Sequence, residues 1–272
     1  MSVVSRTLWI AALTLLLSTA ASAEPQEFPG RKLYPEVPII ERNELHGRMD
    51  QVYIVDVRSL YEFETLRIKG AYLIPVSSDD FSEQVSQLRQ KYGDKPIIFY
   101  CNGHSCEKSY QAVRKASAAR LGKVYAYDAG IFDWARNYPE QTELLGQKLD
   151  INALISDDKF KAHLLEPGTF TEQASNSNGI ILDIRDRFQR EGFSLFSGKE
   201  KSVPLDNTKL KSYVDMAKHD NKTLYVYDAT GHQVKWLQYF LEANGLENYY
   251  FMKDGASGFY DLLRKDAGLR AR

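Results

Sequence analysis

The sequence predicts an α/β protein of two similar units, each a small, mostly parallel sheet with helices on both faces. Two observations support this prediction. Short apolar segments rich in β-branched and aromatic residues alternate with segments of helical periodicity. The same series of segments then occurs a second time, in the same order and at a nearly constant separation. Strands that alternate with helices form parallel sheets that are covered on both faces.

The internal repeat is visible at five places along the chain. The matched segments are Tyr53 to Arg58 with Ile180 to Arg185, Tyr72 to Pro75 with Lys201 to Pro204, Ile97 to Cys101 with Leu224 to Asp228, Gly103-His104 with Gly231-His232, and Gly130 and Trp134 with Gly255 and Phe259. Five matches in one order indicate duplication rather than chance. We therefore predict two domains, residues 24–145 and 146–272, with the boundary near Gly146.

The elements of each copy follow from their periodicity. Short apolar segments of the first copy predict strands at residues 53–57, 97–100 and 124–127. Helical periodicity predicts helices at residues 82–91 and 108–121, with Gly122 at the expected helix end. Residues 234–243, followed by Gly245, predict the counterpart of the second helix in the second copy. Ligands of such sheets bind at the carboxyl ends of the strands.

The N-terminus has the pattern of a cleavable signal peptide over residues 1–23. Arg6 precedes an apolar stretch from Leu8 to Leu17, and small residues lead to a cleavage site after Ala23. The stretch is too short to remain as a stable membrane anchor. A buried N-terminal helix is the alternative interpretation. We therefore expect a protein that is exported to the periplasm or secreted.

The composition excludes several classes of protein. The 272 residues carry a net charge of −1 and are 43% hydrophobic, which describes a globular protein without the basic surface that binds nucleic acid. The two cysteines lie within one stretch of six residues, so they cannot form a disulfide scaffold. Asp228 and His232 lack a third ligand nearby, and no metal or cofactor is expected.

Cys101 is the candidate nucleophile. It ends the apolar run 97–100 and opens a polar loop that leads directly into a predicted helix. Backbone N–H groups and the positive end of a helix favour a thiolate over a thiol at such a place. The alternative is an inert buried thiol. The same position of the second copy holds Asp228, a carboxylate that cannot perform thiol chemistry, so a single site is expected.

The first copy resembles the rhodanese family of sulfurtransferases. The resemblance rests on Asp56-Val57-Arg58, on Ile68-Lys69-Gly70-Ala71 leading to Ile74-Pro75, on Tyr100-Cys101, and on Gly130-Ile131-Phe132-Asp133-Trp134. The second copy looks like a rhodanese domain in which Asp228 replaces the cysteine. The whole chain is similar to tandem rhodaneses, although here the N-terminal domain carries the cysteine, unlike the well-known thiosulfate and mercaptopyruvate enzymes.

The resemblance implies a ping-pong reaction through a persulfide. Cys101 would take sulfane sulfur from a small anionic donor such as thiosulfate and pass it to a thiol or to cyanide. Asn102, Gly103, His104, Ser105 and Cys106 would cradle the anionic intermediate, and Lys108 and Arg58 would assist binding. The family also implies that Asp56, Asp183 and Arg185 are structural, as we expect for Asp228.

Several of these residues also have a plainer interpretation. The Gly-His pair recurs at His232 in the copy without a nucleophile, which favours a role for His104 in loop structure. Lys108 is equally well explained as a solvated lysine in the first turn of a helix. Trp134 and Phe259 are predicted core aromatics.

Cys106 stands where rhodanese loops often carry an arginine. The missing guanidinium also weakens the alternative of a cysteine phosphatase, which needs it to bind phosphate. A second thiol in the loop could resolve the persulfide, form a disulfide with Cys101, or be passive.

We therefore predict a sulfurtransferase that acts through a Cys101 persulfide. Two alternatives stay open: a periplasmic thiol–disulfide oxidoreductase that uses Cys101 and Cys106, and a non-enzymatic carrier that delivers the persulfide to a partner protein.

Overall fold

The computed structural model describes residues 28–190 and 194–268. The predicted signal peptide and its cleavage after Ala23 lie outside the described residues. The helices are α1 Pro29–Leu33, α2 Arg42–Gly47, α3 Leu60–Thr65, α4 Phe81–Tyr92, α5 Lys108–Ala118, α6 Gly130–Asn137, α7 Asp157–Lys161, α8 Pro167–Asn176, α9 Asn207–His219, α10 Gln233–Ala243 and α11 Gly255–Asp266. The strands are β1 Tyr53–Asp56, β2 Leu66–Ile68, β3 Tyr72–Leu73, β4 Ile97–Tyr100, β5 Val124–Tyr127, β6 Thr142–Leu144, β7 Gln147–Lys148, β8 Leu164–Leu165, β9 Ile180–Asp183, β10 Glu200–Ser202, β11 Leu224–Tyr227 and β12 Tyr249–Met252.

Two parallel sheets confirm the α/β prediction. The first has the order β3-β1-β4-β5 and the second β10-β9-β11-β12-β8, and every strand pair in both is parallel. The central strands β4 and β11 are buried at all four positions, as expected for sheets covered on both faces. Within the part of the chain that the structure describes, no helix has the length and apolar character to cross a membrane.

The register of the two sheets places the repeated residues at equivalent edges. Asp56 pairs with Tyr100 across β1 and β4, and Asp183 pairs with Tyr227 across β9 and β11. Because parallel strands end at the same edge, Cys101 emerges beside the residues that follow Asp56. The carboxyl edge of the first sheet therefore brings together the Asp56-Val57-Arg58 segment and the loop that begins at Cys101.

A third, antiparallel sheet extends the first unit. Strands β2, β6 and β7 form it, and Leu145 and Gly146 make the turn between β6 and β7 with φ of 49° and 78°. The backbone of such a turn requires positive φ at both central residues, which glycine adopts without strain. The predicted domain boundary near Gly146 lies in this turn, and it stays a prediction.

Helix α5 ends earlier than the sequence predicts. We expected residues 108–121 with a stop at Gly122, whereas the helix ends at Ala118. Arg120 takes the left-handed conformation (φ 59°), and the Leu121 N–H donates to the Ala116 carbonyl at 2.9 Å, which closes the helix in a Schellman motif. Helix α10 closes in the same way, but there the left-handed residue is Gly245, as predicted.

Helix α10 of the second unit packs on the first. Trp236 and Tyr239 belong to the same buried cluster as Tyr61 and Trp134, and the ring of Trp236 stacks on Phe132 with a centroid distance of 5.3 Å. This helix follows the Asp228 loop in sequence, so the helix equivalent to α5 serves as a contact between the units.

Candidate active site

Cys101 is fully buried at the carboxyl end of β4. Its sulfur lies 3.8 Å from the Ser109 hydroxyl and 3.4 Å from the Cys106 carbonyl oxygen. Its own carbonyl accepts a hydrogen bond from the N–H of Ile131, in the first turn of α6, at 2.9 Å. Strand β4 and helices α5 and α6 thus hold the residue from three sides.

Cys101 and Cys106 form a disulfide, with their Cα atoms 6.5 Å apart. The Cys106 N–H donates to the Gly103 carbonyl at 2.7 Å, so the loop between the cysteines is a tight turn. Cys101 is inaccessible, whereas Cys106 is half-buried. The structure therefore shows the oxidised form of the site, and a Cys101 nucleophile requires reduction first.

Gly130 lets the Cys101 loop lie directly on α6. Its φ is 70°, and a Cβ atom there would come within 2.5 Å of the Gly103 nitrogen and 2.6 Å of the Asn102 carbonyl carbon. Any side chain would displace the loop. Gly255 occupies the same place in the second unit, with φ of 57° and a Cβ position 2.6 Å from the Asp228 carbonyl oxygen.

Arg58 joins the loop to the end of β1. Its Nε and Nη2 donate to the two carboxylate oxygens of Asp56 at 2.8 and 2.6 Å, and its Nη1 donates to Asn102 Oδ1 at 3.1 Å. The Leu66 carbonyl accepts a further hydrogen bond from Nη2 at 2.6 Å. Asp56 and Arg58 have no exposed surface. Because these donors bind Asp56, Asn102 and Leu66, Arg58 holds the loop from its buried side and does not face solvent.

Glu62 continues this network and was not identified from the sequence. It accepts hydrogen bonds from the Asn102 side-chain amide (3.0 Å) and from the Ser59 N–H (3.0 Å), and its carboxylate lies 3.9 Å from Lys108 Nζ. A Ser59-x-x-Glu62 capping box starts α3 here. That motif is readable in the sequence, but it indicates a helix start rather than a site.

Opposing effects set the ionisation of Glu62. Burial favours its neutral form, but the positive charges of Arg58 and Lys108 and the hydrogen bonds from Ser59 and Asn102 outweigh burial. Together they hold the pKa of Glu62 below its ordinary value. Glu62 is therefore a buried carboxylate that ties α3, Asn102 and the start of α5 to one another.

The other predicted loop residues lie further out. The His104 ring is half-buried and meets Phe28 edge-on at a centroid distance of 6.0 Å. Ser105 is exposed, Gly103 packs towards the Ala129 carbonyl, and the Lys108 side chain is 45% exposed. Lys108 thus combines its ion pair with a position from which an incoming anion is reachable.

The second unit has the same arrangement of strand, loop and helix, and its loop surrounds the carboxylate of Asp228. Asp228 accepts hydrogen bonds from the N–H groups of Thr230 (3.1 Å), Gly231, Gln233 and Val234 (3.3 Å). These four amides surround one buried side chain at the N-terminus of α10. Backbone N–H groups arranged in this way form an anion-binding nest, and here the Asp228 carboxylate takes the place of a bound anion.

The remaining predicted residues of the second unit are also in place. Arg185 binds Asp183 through Nε (2.9 Å) and Nη2 (2.8 Å), as Arg58 binds Asp56. The His232 Nδ1 lies 2.9 Å from the Thr230 hydroxyl. Among the described residues there is no group of three or more histidine, cysteine, aspartate or glutamate side chains that could hold a metal.

A comparison with known families agrees with the fold of the first unit. Residues 41–137 match the rhodanese-like domain. The chain therefore contains a rhodanese-like domain, and this domain includes Arg58, Glu62 and the whole Cys101–Cys106 loop. The second unit lies outside the matched residues.

Curated relatives match only part of this chain. A tRNA uridine(34) hydroxylase of Cronobacter sakazakii is 34% identical over 105 residues, which cover 37% of this chain and 28% of that protein. An HTH-type transcriptional regulator of Mycobacterium tuberculosis is 35% identical over 97 residues, which cover 35% of this chain and 40% of that protein. The chain thus spans well under half the length of these relatives.

Solved structures show a weaker likeness. The crystal structure of a thiosulfate sulfurtransferase from Pseudomonas aeruginosa is 18% identical with a TM-score of 0.36, and the alignment covers 82% of this chain and 44% of that chain.

Proposed function

We propose that the protein is an exported sulfurtransferase that carries sulfane sulfur as a persulfide on Cys101. The observation that carries the proposal is the position of Cys101 within the rhodanese-like domain. It is buried at the carboxyl end of a central strand, and the loop of residues 102–107 leads from it to helix α5. A helix N-terminus stabilises a thiolate or a persulfide anion through its dipole and its free N–H groups.

The transfer has two steps. The reduced Cys101 thiolate attacks the outer sulfur of a donor such as thiosulfate. The sulfur–sulfur bond of the donor breaks, and sulfite leaves with its electron pair. The resulting Cys101 persulfide then gives its outer sulfur to cyanide, forming thiocyanate, or to an acceptor thiol. The Cys101 thiolate is regenerated in both cases.

The second unit supports the idea of an anion cradle in the first. Its loop, at the same edge of a similar sheet, directs four N–H groups at the Asp228 carboxylate. A reduced Cys101 loop of similar design would direct its amides at the persulfide. We infer that the second unit is a divergent rhodanese-like copy that has lost the reaction and retains a structural role.

The disulfide favours a second candidate function. A thiol–disulfide oxidoreductase also uses two cysteines that form a disulfide at a helix N-terminus. In that case the protein would exchange electrons with a partner dithiol without binding sulfur. Delivery of the persulfide to a partner protein is a variant of the first proposal and differs only in the acceptor.

A mass measurement tests the proposed function. The Cys106→Ser variant, reduced and then treated with thiosulfate without oxygen, is expected to gain one sulfur atom on Cys101 and to release one equivalent of sulfite. The Cys101→Ser variant is the matched control and should gain none. Subsequent cyanide should remove the sulfur as thiocyanate. Absence of both the added sulfur and the sulfite would reject the proposal, and dithiol exchange by the wild type would then favour the oxidoreductase.

A further inference from the structure

We propose that Cys106 resolves the Cys101 persulfide, so that the sulfur leaves as sulfide and the Cys101–Cys106 disulfide is the product. An external dithiol then reopens this disulfide by attacking Cys106. The protein would thus be a dithiol-dependent enzyme that converts sulfane sulfur to sulfide. This inference rests on the sulfurtransferase function proposed above and names its final acceptor.

The structure contains the product of the resolving step. Cys101 and Cys106 are bonded within a loop that a 2.7 Å hydrogen bond from the Cys106 N–H to the Gly103 carbonyl already closes. The α5 and α6 contacts of Cys101 are all in place around the bonded pair. A thiol at position 106 is therefore within reach of the Cys101 sulfur without any rearrangement of the surrounding helices.

The step balances without an oxidant. The Cys106 thiolate attacks the inner sulfur of the Cys101 persulfide, a new bond forms between the two cysteine sulfurs, and the persulfide bond breaks. The outer sulfur leaves with the bonding electron pair as hydrosulfide. The sulfane sulfur is reduced by two electrons, and the two cysteines are oxidised by two electrons.

Accessibility decides which cysteine the reductant attacks. In this disulfide form Cys101 is fully buried, whereas Cys106 retains exposed surface. A thiolate must approach the sulfur that it attacks, so the first mixed disulfide forms on Cys106 and Cys101 is the leaving thiolate. Cys101 is also the better leaving group, because the Ser109 hydroxyl and the N-terminus of α5 stabilise its negative charge. The second thiol of the dithiol then releases Cys106.

A single turnover without oxygen tests the resolving step. Fully reduced wild type, freed of reductant and given one equivalent of thiosulfate, should release one equivalent of sulfite and one of sulfide and lose both thiols. The Cys106→Ser variant should release the sulfite but no sulfide, and it should keep the persulfide. Reduced wild type without thiosulfate should keep both thiols.

The outcomes separate this inference from the proposed function. If the wild type releases sulfite and keeps a persulfide beside a free Cys106, the inference fails and the sulfurtransferase function stands. If neither protein releases sulfite, the proposed function itself fails.

A second experiment tests the site of reduction. Oxidised wild type is mixed briefly with glutathione, quenched with acid and mapped by peptide mass. The glutathione adduct is expected on Cys106, with the free thiol on Cys101. An adduct confined to Cys101 would overturn this part of the inference.

Discussion

The guanidinium of Arg58 lies 5.0 Å from the ring centroid of Trp236, across the contact between the two units. Arg58 also binds Asp56 and Asn102, so a residue of the second unit covers the group that holds the Cys101 loop. Tyr61 in α3 adds a 2.9 Å hydrogen bond to Asn207 across the same contact. The second unit therefore contributes to the shape of the Cys101 site in the first.

Replacing Trp236 should disturb the Cys101 site, although Trp236 belongs to the second unit. Trp236→Ala removes a buried ring and its cation–π contact, and we expect a loss of about 3–5 kcal/mol in unfolding free energy. Persulfide formation in the Cys106→Ser background should slow as Arg58 and Asn102 gain freedom. Trp236→Phe keeps an aromatic face and should retain most of the rate. An unchanged rate in a folded Trp236→Ala protein would contradict the coupling.

The repeat offers a matched pair of variants at its two buried arginines. Arg58→Lys cannot keep the paired bonds to Asp56 together with the bond to Asn102, so the loop should shift and persulfide formation should fall by roughly a hundredfold. Arg185→Lys disturbs the equivalent ion pair with Asp183, but no cysteine loop depends on that pair. It should lower the melting temperature similarly and leave the rate within about twofold. Equal losses of rate in both variants would show that Arg58 acts only through stability.

Gly130 and Gly255 provide a second pair. An alanine at position 130 would force a Cβ atom into the Asn102–Gly103 backbone and would strain a positive φ, at a cost of at least about 1 kcal/mol. The displaced loop should form neither the persulfide nor the Cys101–Cys106 disulfide at the normal rate. In Gly255→Ala the added Cβ atom would contact Asp228 instead. This variant should destabilise the second unit and leave the rates of both reactions unchanged. Thiol titration during oxidation measures the disulfide.

Glu62 should make the site sensitive to acid. Its pKa lies below the ordinary 4.5, so its ionised form adds stability that is fully present above about pH 4.5 and is lost as pH falls through the lower folded-state pKa. Glu62→Gln should therefore cost about 1–3 kcal/mol at neutral pH and progressively less in acid. Denaturant unfolding of both proteins across this range measures the difference. A difference that is constant with pH would contradict an ionised Glu62.

Asp228 should be structural in the second unit. Asp228→Ala leaves the four surrounding N–H groups without their carboxylate, and we expect a loss of about 2–4 kcal/mol in the stability of that unit. Asp228→Asn, which keeps one acceptor oxygen, should lose less. Persulfide formation on Cys101 should persist in the folded fraction of both variants. Loss of the reaction in a folded Asp228→Asn protein would instead assign this residue to the chemistry.

Local sequence patterns predicted the sheets well. Strands β4 and β11 are short, wholly buried apolar runs. Strand β4 has the predicted type and bounds, and β11 is the segment that the repeat matches to it. The end of α5 was predicted incorrectly, because a left-handed Arg120 closes the helix before Gly122. Arginine carries no sequence signal for that conformation, whereas Gly245 in α10 does.

The sequence by itself determined the repeat, the parallel sheets and the place of Cys101 at a strand end, because each depends on the period and order of neighbouring residues. Only the tertiary structure decided which groups meet at that place. Glu62 reaches Asn102 through the turn between β1 and α3, and Trp236 reaches Arg58 through the packing of α10 on α3. Spacing allowed Cys106 several roles, and the folded loop pairs it with Cys101. Contacts between distant segments depend on how whole elements pack, and no local pattern encodes that packing.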